Sequence, residues 1–289
     1  MTATEARTER RPSSAAAVGI IWRREITRWW RDKTRIAGSL GMPIIFLLIF
    51  GSGLSGAMGS LIGGGSGGPT IDFKQFIFPG IIAMNVFFAS IFNGISLVYD
   101  REFGILKEVL VAPVNRASVA LGKTLGGATV ATIQGTLVFL FAPLVGVTLT
   151  PLLVLQLWPV MFLGAFGLSG MGVALAARMR STEAFQVINQ FVTFPMIFLS
   201  GVFFPLQGLP AWMTVLVKIN PITYAVDPLR RLVLEAQGLP AAVLDRLPDL
   251  GLGIKVFGHA MTVSQDLIIV GVFGVVMNLL AMWLMSIQD

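Results

Sequence analysis

The stretch that most resembles a phosphate site in this chain is ASVALGKT at residues 117–124. A working phosphate loop follows a β-strand, uses glycines to turn backbone amides toward the anion, and ends in a lysine at a helix start. Here Ala117 occupies the first glycine position, an amphipathic helical pattern precedes it, and a long apolar run begins at Thr124. ATP binding on this chain is therefore excluded, and Lys123 is expected to snorkel from the apolar run toward water. The glycine-rich run 51–70 also lacks a strand and the dinucleotide spacing, and reads as a flexible external loop. With no cysteine and a single histidine, His259, the chain offers neither thiol chemistry nor a histidine metal cluster. The apolar runs lack the paired Asp, Glu or His that hydrolysis inside a bilayer would need, so an intramembrane enzyme is the least supported reading.

What remains for chemistry inside the apolar runs is a set of amides: Asn85, Asn93, Asn189 and Gln190. An amide in hydrocarbon either bridges helices or faces a polar route, and both readings stay open for these four candidates. Thr193 and Pro195 give the run holding Asn189 a polar, kinked side.

The elements that position them are membrane spans. Hydrophobic residues make up 55% of the 289 and charged ones only 12%, with mean hydropathy +0.80. A soluble domain carries about a quarter charged residues. A crossing of ~30 Å needs about 20 apolar residues, and the charge-free runs predict six: 36–54, 76–98, 119–140, 152–176, 184–204 and 263–286. Pro143 and Pro151 bracket the turn between the third and fourth.

Nine Lys/Arg precede the first span, four lie between Arg101 and Lys123, and Arg178 and Arg180 follow the fourth; six fall on the other side. That bias predicts a multi-pass cytoplasmic-membrane protein with both termini in the cytoplasm. The first 35 residues carry no secretory signal pattern. The net charge of +6 reflects this orientation, so nucleic acid is not an expected partner.

Residues 1–19 are expected to be a disordered cytoplasmic tail. Over 20–35, Trp22, Ile26 and Trp29 share one helical face and Arg24, Arg28, Arg31 and Arg35 the other, which predicts an amphipathic helix lying in the lipid interface. Residues 99–124 form a charged island between spans two and three. A helix is expected at 101–113, with Phe103, Leu106 and Leu110 as an apolar stripe, Arg101 and Glu108 opposite, and Glu102 and Lys107 flanking. Pro113 ends it, and Asn115 or Ser118 caps the next helix. Such a helix is either a handle for a cytoplasmic partner or a lipid-lying connector. Ser181 or Thr182 is the expected cap of span five.

On the external side, Pro205, Pro210, Pro221 and Pro228 punctuate two short apolar pieces within 205–234, too short to span and too apolar for water. They predict a re-entrant or interfacial helical hairpin, with Trp212 and Tyr224 at the interface and Asp227 pairing locally with Arg230 and Arg231. Residues 235–262 are expected to be an external loop.

Two blocks resemble the type-2 permease family of ABC exporters, particularly its drug-resistance, daunorubicin-type branch. One is REFGILKEVLVAPVNR from Arg101, followed by the pair Gly122 and Lys123. The other is FLSGVFFPL from Phe198, LPAW from Leu209 and NPITYAVDPLRR from Asn220. Lys107 stands where the family more often has Glu, and Pro228 where it has Ala.

The resemblance implies an all-α, six-span permease domain over 36–286, with an N-terminal interfacial helix, a cytoplasmic coupling helix and short external helices. It makes Arg101, Glu102, Phe103, Gly104, Leu106, Lys107 and Glu108 the surface for an ATPase subunit. Trp212, Asn220, Tyr224, Asp227 and Arg230 become candidates for an external gate. It also implies a dimer of permeases, a homodimer in the simplest case, on two separate ATP-binding-cassette subunits that hold ATP and Mg. The cargo it implies is an amphipathic drug or lipid moved outward, the alternative being a cell-surface polysaccharide or lipid-linked glycan.

Overall fold

The computed structural model describes residues 13–53, 73–104, 115–249, 251–256 and 258–287. Helix α1 (Ser14–Arg31) begins where the Ser13 hydroxyl accepts the Ala16 N–H at 3.2 Å. Asp32 ends it and starts α2 (Lys33–Leu48), accepting the Arg35 N–H at 3.0 Å and the Thr34 hydroxyl at 2.6 Å. This corrects two expectations. The tail predicted over 1–19 is helical from Ser14, because a serine cap and a run of alanines precede the arginines; residues 1–12 lie outside the described set. The amphipathic helix ends at Arg31 rather than at residue 35, because Asp32 interrupts it.

Helices α3 (Phe73–Phe92) and α4 (Ile95–Glu102) form one apolar rod, jogged at Asn93 and Gly94. Helix α5 (Arg116–Val138), capped by Asn115, tightens into a 3₁₀ turn, Phe139–Val145, that stops at Gly146 with φ +69°. Helix α6 (Pro151–Arg178) is capped by Thr150 and α7 (Thr182–Phe198) by Ser181. The predicted hairpin is α8 (Ala211–Ile219) and α9 (Pro221–Ala236), which runs straight through Pro228. The expected external loop contains the short α10 (Ala241–Leu244) and the paired strands β1 (Lys255–Val256) and β2 (His259–Ala260). Helix α11 (Val263–Ser286) opens with a reciprocal Thr262–Gln265 capping box.

The protein is an all-α polytopic membrane protein. Among the described residues, five helical runs are long and apolar enough to cross a bilayer: Lys33–Gly51, Phe73–Glu102, Arg116–Val145, Pro151–Arg178 and Val263–Ser286. The remaining predicted span, 184–204, overlaps the 17-residue α7, which starts two residues earlier and ends at Phe198, about 25 Å of helix. Its first turn meets Glu102 and its last meets the α8–α9 hairpin at the opposite end. Large apolar side chains stand exposed on the outer faces, among them Phe191, Val272 and Trp283. A surface of that kind belongs against hydrocarbon rather than water.

Most of the core fills the middle of the bundle and its α8–α9 end. A second cluster joins Ile21 of α1, Leu97 and Val98 of α4, Val119 of α5, Phe185 of α7 and Met285 of α11. Both described ends of the chain therefore lie at the same end of the bundle. The apolar stretches of Phe73–Glu102 and Pro151–Arg178 are 72% buried, that of Lys33–Gly51 only 17%. Where α3 and α6 cross, a Cβ on Gly94 would strike the Gly172 carbonyl, and one on Gly172 the Ile91 carbonyl. Glycine on both sides lets the two backbones touch.

Candidate functional site

Helices α2, α3 and α7, with Gln134 of α5, line a half-open cavity of about 580 Å³, a volume in the range of small-molecule sites. Its wall is aromatic: Phe46, Phe88, Phe92, Phe194, Phe198 and Phe203. Phe46 stacks on Phe203 with centroids 5.3 Å apart, and Phe88 meets Phe194 edge-on at 5.6 Å. Methionines 42 and 84 add deformable surface. The side-chain amides on the wall are Asn85, Gln134 and Gln190. Asn85 donates to the Ser39 carbonyl at 2.8 Å, tying α3 to α2, and its Oδ1 has no partner among the described residues. Arg35 is the charged residue of the lining.

Of the four amides singled out from the sequence, the structure brings Asn85 and Gln190 to this cavity. Asn93 instead donates to the Lys123 carbonyl at 3.1 Å and lies against Gly127, bridging α3 to α5. Asn189 is fully buried and accepts from Thr193 within its own helix, 3.2 Å away. Sequence reasoning missed Gln134, although it is the same signal, a long amide inside an apolar span.

At the α1 end, three buried charges interlock. Lys123 Nζ lies 2.7 Å from Asp100, 3.2 Å from Glu25 and 3.0 Å from the Ser96 hydroxyl. Arg24 reaches Asp100 at 2.9 Å and Arg28 at 3.7 Å. Lys123, Glu25 and Asp100 expose only 1%, 4% and 3% of their surface. The expectation that Lys123 snorkels to water is thus corrected: two buried carboxylates hold it inward. Gly122 and Gly126 explain how α1 comes so close, since a Cβ there would stand 2.8 Å from Ile21 and 2.6 Å from Glu25. The buried face of α1 is accordingly Ala17, Ile21, Glu25 and Trp29, rather than the expected Trp22, Ile26 and Trp29. The phosphate-loop-like residues 117–124 all lie within α5, where the glycine serves helix contact and the lysine serves charge balance.

The residues expected to form the ATPase surface divide. Arg101 and Glu102 are the last turn of α4, not the first turn of a helix over 101–113, because Gly104 at φ +75° ends that helix. Arg101 donates to the Ala177 carbonyl at 3.0 Å and to that of Met179, satisfying the end of α6. Glu102 accepts the Thr182 hydroxyl at 2.6 Å, at the start of α7. Phe103 stacks on Tyr99 with centroids 6.2 Å apart yet remains 72% exposed. Leu106, Lys107 and Glu108, with the rest of 105–114, lie outside the described residues.

The external-gate candidates hold the hairpin rather than the cavity wall. Asn220 caps α9, accepting from the Ile222 N–H at 3.1 Å and donating to the Met196 carbonyl. The Tyr224 hydroxyl donates to the Lys218 carbonyl at 2.6 Å. Arg230 is enclosed, donating to the Leu252 carbonyl at 3.1 Å and lying 4.2 Å over the Phe76 ring. Trp212 is exposed on α8. Asp227, 3.0 Å from Arg231 Nε, also faces Asp266 of α11. This places a carboxyl pair in contact where the sequence showed none, but with 2% and 0% of their surfaces exposed neither is open to a substrate.

The pattern of the ABC-2 type transporter family matches residues 16–234. A putative transport permease of Cyanophora paradoxa, ycf38, is 28% identical over 249 residues, covering 85% of this chain and 80% of the relative. Nodulation protein J of Rhizobium meliloti (strain 1021) is 28% identical over 217 residues, 74% of this chain and 80% of the relative. The probable multidrug ABC transporter permease YbhR of Escherichia coli (strain K12) is 30% identical over 186 residues, 59% of this chain and 47% of the relative. The family pattern covers most of the chain and the helical bundle is consistent with it, and the chain belongs to the ABC-2 type transporter family as a transmembrane permease.

Proposed function

We propose that this permease exports amphipathic compounds, drugs or lipids, across the cytoplasmic membrane, using the phenylalanine-lined cavity as the cargo site. The cavity carries the reading: six phenylalanines with three amides and one arginine give apolar surface with sparse polar anchors. A polysaccharide, dense in hydroxyls, would leave most of its hydrogen bonds unmade against such a wall. Ala89→Trp, which puts an indole into the cavity, is expected to abolish cargo-stimulated ATPase activity while the complex still assembles, as read by gel filtration. Undiminished stimulation would remove the cavity from the transport route.

The driving force comes from ATP and Mg on separate ATP-binding-cassette subunits, beneath a homodimer of this chain, with both chain termini in the cytoplasm. Family membership supports the separate ATPase, since a permease subunit carries none of its own. The shared position of α1 and the end of α11 supports the placement of the termini. Cysteines at Ser66 and Gly238 of this cysteine-free chain should react with an impermeant maleimide on intact cells, and one at Ser181 should not. Labelling at 181 would invert the topology.

A further inference from the structure

Resting on the cargo reading above, we infer that the cavity selects amphiphiles with an anionic headgroup, and that Arg35 is the residue that recognises it. Among the residues lining the cavity, Arg35 is the charged one, and no acidic side chain joins it. Among the described residues no carboxylate forms an ion pair with its guanidinium. The nearest acid in sequence, Asp32, spends its carboxylate on the Thr34 hydroxyl and the Arg35 backbone N–H at the start of α2. The hydrogen bond from Thr34, then that from the Arg35 backbone, and after them the charge of the Arg35 guanidinium hold this carboxyl below its ordinary range, so it stays an acceptor and keeps its place as the cap. The Arg35 guanidinium feels the Asp32 charge but makes no salt bridge to it among the described residues, so its donors face the cavity mouth.

The position suits a headgroup. Arg35 lies in the first turn of α2, at the end of the bundle where α1 carries its arginines. From there the cavity wall follows α2 as far as Phe46, about 16 Å of helix at 1.5 Å per residue. A ligand with its head at Arg35 would lay its apolar body along Met42, Phe46 and the facing Phe88 and Phe194. A planar guanidinium takes a carboxylate, sulfonate or phosphate through two parallel hydrogen bonds. A cationic amphiphile would meet a like charge at the same mouth. The ring faces could offer it cation–π attraction, but no acidic partner lines the wall. A charge-assisted hydrogen bond in this setting corresponds to about 10- to 100-fold in affinity.

The test uses the permease with its ATPase in nanodiscs of phosphatidylcholine, and three probes of equal chain length: a dansyl fatty acid, its methyl ester and the dansyl amine. The expected result is a dissociation constant for the acid about 10- to 100-fold below those of the ester and amine. Arg35→Gln should raise the acid to the level of the ester, Arg35→Lys should keep part of the preference, and Arg35→Glu should turn it toward the amine. Equal binding of acid and ester by the unaltered protein, or a preference that survives Arg35→Gln, overturns the anionic assignment and leaves the cargo site standing. Binding of all three probes that persists unchanged in Ala89→Trp overturns the cargo site, and the assignment with it. A variant that does not assemble, by gel filtration, is replaced by Arg35→Lys, whose preference must fall between the extremes. Phosphatidylglycerol in the nanodisc separates the two sources of such a headgroup: displacement of the dansyl acid supports a bilayer lipid as the natural occupant, and its retention supports a free anionic amphiphile.

Discussion

Lys123→Ala is expected to destabilise the folded permease by about 3 kcal/mol, the low end of the range for removing one member of a buried ion pair. Glu25 and Asp100 would remain buried without the cation that now sits 3.2 Å and 2.7 Å from them. The loss is held to the low end because Arg24 stays within 2.9 Å of Asp100. Thermal unfolding in detergent, followed by the fraction of monodisperse protein, reads the effect. The combination Lys123→Met with Glu25→Gln and Asp100→Asn removes both signs of charge from the buried trio, leaves only the part-exposed Arg24 and Arg28 without Asp100, and should recover much of the loss, since it is the uncompensated buried charge that costs. An unchanged melting curve for Lys123→Ala would show that water reaches these groups freely.

Phe103→Ala should release the ATPase. The Phe103 ring stacks on Tyr99 yet stands 72% exposed beside a left-handed glycine, and the proposed ATPase interface would bury it. Truncating such an anchor costs on the order of 2–4 kcal/mol, or about 30- to 800-fold in affinity. Co-purification of the ATPase should fall accordingly and transport should cease, while the permease still inserts. If binding and transport both survive, the coupling surface does not include Phe103. Glu102, bonded to Thr182, is expected to weaken the link between that surface and α7 when replaced by alanine.

Five of the spans were legible because hydrocarbon demands long charge-free runs, with Pro143 and Pro151 needed to divide the longest run into two. Helix starts at Asn115 and Ser181 were legible for the same local reason, a short side chain able to accept an N–H. The hairpin was legible from its prolines, and α9 continues through Pro228 because proline removes a single backbone donor from an otherwise well-packed helix. What sequence could not show was partnership across distance. Lys123 beside an apolar run reads as a cation reaching for water; its two carboxylates lie 23 and 98 positions away in the chain. The Asp227–Asp266 contact was hidden likewise, since neither acid marks the other locally. Asn93 and Asn85 are indistinguishable by type, and only the facing helix decides that one bridges and the other lines a cavity.

Glycine-to-glycine contact between α3 and α6 also has a mechanical meaning. Two backbones in touch at Gly94 and Gly172 cannot slide past each other without a carbonyl colliding, so these helices form a strut. Among the described residues, α2 and α7 make no such glycine contact; they are tied by single amide hydrogen bonds, from Asn85 to α2 and from Asn220 to α7. Helix α7 begins at Thr182, held to Glu102 one residue before Phe103, and extends 17 residues to the far end of the cavity. It is a rod of about 25 Å that runs from beside the exposed aromatic to the cavity's far end, where Met196 accepts from Asn220. A tilt of about 10° at its base would carry Phe198 by about 4 Å, close to the width of an alkyl chain.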